Sequence, residues 1–500
     1  MAPFPSPTFT GSRWLFLRLL GVVYLMAFVS LAVQITGLVG EKGILPVGAF
    51  LAQARELYGA QAYRLWPTLV WFSASDGLLS ILCWSGAAIS VLLIAGIAPS
   101  ASAALLWVLY LSLTIAGQVF LQFQWDALLL EAGLLAILYA PLCWQSRYNV
   151  DPEPPTIVRW VIWSLAFKLS FLSGATKILS GDATWANWTA LSYHYETQPI
   201  PAWTSWFMHQ LPQSIHYWSA ASMFFVELAV PWLIFAPPRF RRVRLTACVL
   251  MTLLQVGIAA TGNYGFFNIL AIVLYVALLD DHTLEAFLPG RAARRSERTL
   301  QPRPSGPQLW RLGMNVIALA VVCLSALTFF REIDRTRGRG GPIGGEWSDR
   351  LLAWVSPINS INGYGLFRVM TTERPEIVIE ISEDGSTWRE YEFRWKAGDV
   401  MRRPRFVEPH MPRLDWQMWF AALDPRSAQE WLDPLLARVL NGETSVTRLL
   451  GPNPLAGRTR YVRLAYYQYR FTSSAERAKT GAWWKREFVG YLTNPIGPRQ

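Results

Sequence analysis

Long apolar stretches alternate with short polar breaks over the first two-thirds of the chain. A membrane-crossing helix requires roughly 20 mostly apolar residues. Nine stretches meet that criterion: residues 14–39, 77–98, 101–121, 125–144, 157–178, 216–236, 245–261, 264–280 and 309–330. The stretch 60–76 is aromatic but short and reads as interfacial. No small-residue cleavage site follows the first stretch, whose length predicts a retained helix and not a removed signal. Residues 331–355 are rich in Gly and Arg and read as a linker. The period then changes. Ile377, Ile379 and Ile381 alternate with charged or polar residues, Asp384-Gly385 supplies a turn, and Trp388 to Trp395 continues the run, which predicts a hairpin. Tyr461 to Phe471 predicts a further strand, and 415–422 and 427–440 predict helices. The expected fold is an α-helical polytopic membrane bundle of about nine spans over 1–330. A small β-rich (α+β) exported domain follows over 356–500.

Composition agrees with that pattern. Of 500 residues, 52% are apolar and 16% charged, against roughly 25% charged in a soluble domain. Disorder, a disulfide scaffold and a nucleic-acid binder with a dense basic face are excluded. The net charge of +11 is partly a topology signal. Four Arg lie in Pro237–Arg244 and five more between residues 290 and 303, whereas the loop 179–215 has no Lys or Arg. The positive-inside bias then puts the amino terminus in the cytoplasm. Everything after about residue 331 falls on the other side.

Charges inside a bilayer cost a few kcal/mol each even on mild scales, so each one here calls for a partner. Lys168 and Glu227 lie near the middle of the fifth and sixth stretches and are expected to pair. Asp126 and Glu131 enter the fourth stretch from the outer side, and Lys177 ends the fifth on that side. Lys177 is expected to pair with Asp126 or Glu131. Two readings stay open: structural ion pairs, or a polar intramembrane site opening outward that Ser170, Ser173 and Gly174 help to line. The four Cys sit in or beside apolar runs with no CxxC pair and read as buried thiols. His194, His209, His216, His282 and His410 show no metal-ligand spacing, and no metal or other cofactor is expected. There is no GxSxG elbow, P-loop or GxGxxG in a strand–helix setting. Asn187-Trp188-Thr189 is a glycosylation sequon, meaningful only in a eukaryotic host. The aromatic outer loop suits either a membrane-interface girdle or a surface that grips an apolar client.

Several blocks resemble the lipase maturation factor family: QWDALLLEAGLLAILYAP (124–141), SGDATWANWTALSYHYETQPIP (180–201), ELAVPWLIF (227–235) and TGNYGFFN (261–268). So do NGYGLFRVM (362–370), RRPRFVEPHMPRLDWQMWFAAL (402–423), YQYRF (467–471) and GAWWKREFVGYL (481–492). The resemblance runs in order from about residue 12 to residue 495. It implies a multi-pass protein of the endoplasmic reticulum membrane, or of the cytoplasmic membrane in a bacterium. The implied role is that of a chaperone for secreted dimeric lipases or similar exported clients, with the lipid bilayer as its other partner and no nucleic acid. On exposed-aromatic logic, Asp415, Trp416, Trp419, Trp483 and Trp484 are candidates for client contact. A weaker similarity, GATKIL (174–179), is to the helix end of vitamin K-dependent carboxylase that carries its catalytic base. It implies an alternative: a membrane enzyme acting on a lipid-like substrate, with Lys177 as base and Asp126 or Glu131 as partner.

Overall fold

The structure is a computed structural model and describes residues 7–148, 150–237, 240–287, 308–338 and 345–497. Its principal helices are α1 (Thr10–Ala32), α2 (Asp76–Ala95), α3 (Pro99–Ala116), α4 (Gln124–Tyr139), α5 (Thr156–Leu179), α6 (Gln213–Phe235), α7 (Arg241–Thr261), α8 (Phe267–Val276) and α9 (Gln308–Thr336). Seven of these are long and apolar enough to cross a membrane, and the protein is a multi-pass membrane protein. The other two are shorter. Helices α4 and α8 hold 16 and 10 residues, about 24 and 15 Å at the α-helical rise. Both are largely buried among the other helices.

Both nevertheless run from one end of the bundle to the other, because non-helical segments complete their path. At the first end, the Asp281 carboxylate accepts from the backbone of Thr10 and Gly11, Arg18 donates to the Ser146 carbonyl, and Arg244 pairs with Asp280. At the second end, Gln34, the Phe120 carbonyl and Asn263 all bond to residues 405–413. Helix α6 is irregular. After Phe224 it loosens into a π turn over Phe225–Ala229 and then tightens into a 3₁₀ segment over Val230–Phe235. Pro231 is the cause: it lacks an N–H, and its ring would clash with the carbonyl four residues back, that of Glu227.

The carboxy-terminal domain is a four-stranded antiparallel sheet with strands β1 (Arg374–Ser382), β2 (Trp388–Tyr391), β3 (Tyr461–Phe471) and β4 (Trp484–Tyr491), in the order β2-β1-β3-β4. Helices α10 (Arg413–Leu423) and α11 (Gln429–Leu440) complete it, and α10 packs on β1. The expected hairpin, third strand and two helices are present. Strand β4 has no counterpart in the expectation, since WKREFVGY alternates only weakly. Much of the expected linker is ordered. Residues 331–336 end α9, and Glu346–Val355 forms a helix with Trp347, Leu351 and Trp354 exposed along one side. Residues 339–344 and the arginines between 290 and 303 lie outside the described residues.

Among the described residues, those leading into the sheet domain pack back on the bundle. Residues 359–370 dip back among the helices, where Ser360 accepts from the Trp107 indole and the Tyr364 hydroxyl donates to Glu131. Irregular backbone at such depth is tolerated only when enclosed by protein. Gly365 permits that enclosure, because a Cβ there would meet Thr176 Oγ1 at 2.8 Å.

Candidate functional site

Helix α5 carries Lys168 and Lys177 nine residues apart. That is two and a half turns at 3.6 residues per turn, so the two ammonium groups leave opposite faces. Lys168 faces α4 and donates to Glu131 Oε1 at 2.5 Å. Lys177 faces α6 and donates to both oxygens of Glu227, at 2.9 and 2.8 Å. This overturns the expected pairing. Glu227 stands at the π turn, and Gly174 lets it approach: a Cβ on Gly174 would lie 2.9 Å from the Glu227 Cβ. Asp126 is paired with neither lysine. It accepts from Arg413 Nη1 at 2.5 Å, Arg413 Nη2 at 2.8 Å and the Tyr110 hydroxyl at 2.5 Å. Glu131 also takes the Tyr364 hydroxyl at 2.7 Å and the Asn362 N–H at 3.2 Å. Both carboxylates of α4 thus anchor the carboxy-terminal half of the chain.

Beside the Lys177–Glu227 pair lies a cavity of about 770 Å³. Its walls come from the end of α5, the loop helices around Leu191 and Met208, the inner sides of α6 and α7, the start of α8, and Leu366 and Phe367 of the dipping segment. His194 lines it. The Tyr264 hydroxyl donates to Gln198 Oε1 at 2.7 Å, so His194 Nε2–H is the donor in the 3.0 Å contact to that hydroxyl. Burial, followed by the positive charge of Lys177, pushes the His194 pKa down to about 4, which favours the neutral ring. Among the described residues no group of three His, Cys, Asp or Glu is placed to hold a metal ion.

The aromatic residues expected to meet a client are buried instead. Trp416 packs against Trp125 at 4.7 Å between ring centroids, the Trp419 indole donates to the Thr197 carbonyl, Trp483 meets Trp206, and Trp484 stacks on Phe471. Asp415 accepts from the backbone N–H groups of Trp395 and Lys396, and burial raises its pKa to about 6. Trp416, Trp419 and Trp483 fill the seam between the domain and the amino-terminal part, whereas Trp484 and Asp415 find their partners within the domain. The expectation failed because the domain folds onto the helices and covers its own aromatic face. Of the cysteines, Cys83 and Cys248 are buried as expected, but Cys143 is half-buried and Cys323 exposed; all four are free. Asn187 is exposed at the end of a short loop helix.

Two family descriptions match this architecture in order. Residues 11–286 match the lipase maturation factor transmembrane domain and residues 360–494 the lipase maturation factor C-terminal domain. The chain belongs to the lipase maturation factor family. Lipase maturation factor 2 of Homo sapiens is 36% identical over 95% of this chain and 81% of its own length, and that of Mus musculus is 35% identical over the same shares. Lipase maturation factor 1 of Mus musculus is 32% identical over 98% of this chain and 89% of its own. No solved structure matches. In this lipase maturation factor family member, the Asp126–Arg413 pair joins one matched segment to the other.

Proposed function

We propose that this protein is a membrane-embedded maturation factor that assists the folding and assembly of secreted lipases or similar exported proteins. The observation that carries the reading is the match to lipase maturation factors through both segments, bundle and sheet domain alike. The protein sits in the endoplasmic reticulum membrane, or in the cytoplasmic membrane of a bacterial host. Arg241, Arg242 and Arg244 at the first end of the bundle make that end cytoplasmic under the positive-inside bias. The carboxy-terminal domain then faces the lumen or periplasm, where exported clients fold.

Since the candidate tryptophans are buried, client contact falls to a different surface. Strand β4 is an edge strand, and Phe488, Val489, Tyr491 and Leu492 are exposed along it. An open strand edge with exposed apolar side chains suits an unfinished client that offers a strand of its own. The enzyme alternative loses its constellation, because Asp126 and Glu131 are committed elsewhere and Lys177 is held by both oxygens of Glu227.

The test is crosslinking and isolation of the full-length protein from secreting cells, compared with Phe488→Glu and Tyr491→Glu. Newly made lipase captured by the parent and lost from both variants supports the reading. Equal capture by all three moves the client surface away from β4. No exported protein in any sample refutes the chaperone reading.

A further inference from the structure

The chaperone reading leaves the cavity beside Lys177 without a task. Its volume of about 770 Å³ lies within the roughly 300–1,000 Å³ of small-ligand sites. Three observations define an occupant. The first is the mouth. It opens between α6 and α7, where Ile215, Trp218 and Leu253 are exposed. Both helices are long and apolar enough to cross a membrane, which makes an opening between them lateral, toward lipid. The second is a set of polar atoms with nothing to bond. Asn268 is 1% exposed and Gln255 8%, and both line the cavity. Asn268 Nδ2, Asn268 Oδ1 and Gln255 Oε1 have no partner among the described residues. An unpaired buried polar group costs about 1–3 kcal/mol. The third is charge. Lys177 and Glu227 already neutralise one another, so a charged headgroup would bury a third, uncompensated charge.

We propose that this cavity binds an uncharged acyl lipid whose head carries hydroxyl and ester groups, of the acylglycerol type, entering sideways between α6 and α7. Hydroxyl groups donate to Asn268 Oδ1 and Gln255 Oε1. An ester carbonyl accepts from Asn268 Nδ2–H. The acyl chain lies along the apolar wall toward Trp218 and Leu253. Such a lipid supplies the donors and the acceptor that the protein lacks there. The site does not depend on the client reading, since no residue of it belongs to the β4 edge.

The test uses the full-length protein in lipid nanodiscs and a monoacylglycerol carrying a diazirine on its acyl chain. Saturable labelling of α6 and α7 peptides is expected. Unlabelled monoacylglycerol competes, whereas the matching fatty acid anion and lysophosphatidylcholine do not. Asn268→Leu lowers labelling about tenfold or more, on the scale of 1.4 kcal/mol per tenfold. Thermal stability stays equal or rises, because the deleted amide has no partner among the described residues. Gly257→Trp narrows the mouth; a Cβ there meets nothing within 4 Å, and labelling falls likewise in protein whose thermal unfolding matches the parent's. Labelling that does not saturate, or that stays at the parent's level in both variants, overturns the site. Equal competition by the charged lipids overturns the headgroup assignment.

Discussion

Removing Asp126 tests how bundle and sheet domain are joined. Arg413 and Asp126 are 1% and 0% exposed at their side chains. The guanidinium donates twice to the carboxylate, once to the Phe120 carbonyl and, at 3.5 Å, to the Tyr110 hydroxyl, so Asp126→Leu leaves a buried cation with neutral acceptors only. Removing one partner of a buried pair costs about 3–5 kcal/mol, whereas replacing both by apolar residues of similar size is often neutral. Asp126→Leu is therefore expected to shift docking of the domain by roughly two to three and a half powers of ten. Arg413→Met strands the carboxylate with similar cost, softened by the Tyr110 hydroxyl. The double variant should recover most of the loss, giving a coupling well above the scatter of about 0.3–0.5 kcal/mol for independent sites. Thermal unfolding in detergent measures the stability. Protease cleavage within residues 400–412 measures undocking. Single variants that behave like surface substitutions, or a double variant equal to the sum of the singles, would refute the argument.

Other outcomes follow from the same geometry. Gly174→Ala should destabilise by about 1–3 kcal/mol through overpacking, because its Cβ meets Glu227 and Leu228 at 2.9 Å; unchanged unfolding would show that the π turn yields freely. Lys177→Met should lower folded protein and lipase maturation in parallel, since it strands Glu227; maturation lost at normal protein level would return Lys177 to a catalytic role. His410 Nδ1 lies 3.0 Å from the Ser30 hydroxyl, which also accepts from the Met411 N–H, and burial, then the nearby Arg413 and Arg394, lower the His410 pKa to about 4 and favour the neutral ring. The unfolded chain binds the extra proton from about 6.5 downward. This group's contribution is thus intact above about pH 6.5 and lost as pH falls toward 4. His410→Gln should flatten that part of the pH–stability profile, and an unaltered profile would count against the assignment.

Much of this architecture can be read from apolar periodicity, and the limits have physical causes. The long spans stand out because length and hydropathy are local properties. Their pairing is not local, and matching Lys168 to Glu227 by depth ignored the face each residue occupies. Nine residues of helix put Lys168 and Lys177 on opposite sides, and Pro231 breaks α6 at Glu227, so both signals were present in the chain. The partner of Asp126 was out of reach, since Arg413 lies 287 positions away. Burial of Trp416, Trp419 and Trp483 was equally hidden, because it depends on the domain docking onto the amino-terminal part. Asn268 and Gln255 stand out only once the helices around them are placed, for an amide without a partner has no signature in sequence.

The most direct measurement of the central claim is secreted lipase activity from cells that lack their own lipase maturation factor and express this protein with a dimeric lipase. The account predicts active secreted lipase with the parent protein, and little with Phe488→Glu at equal protein level. Inactive, retained lipase despite a correctly folded and inserted protein would contradict it.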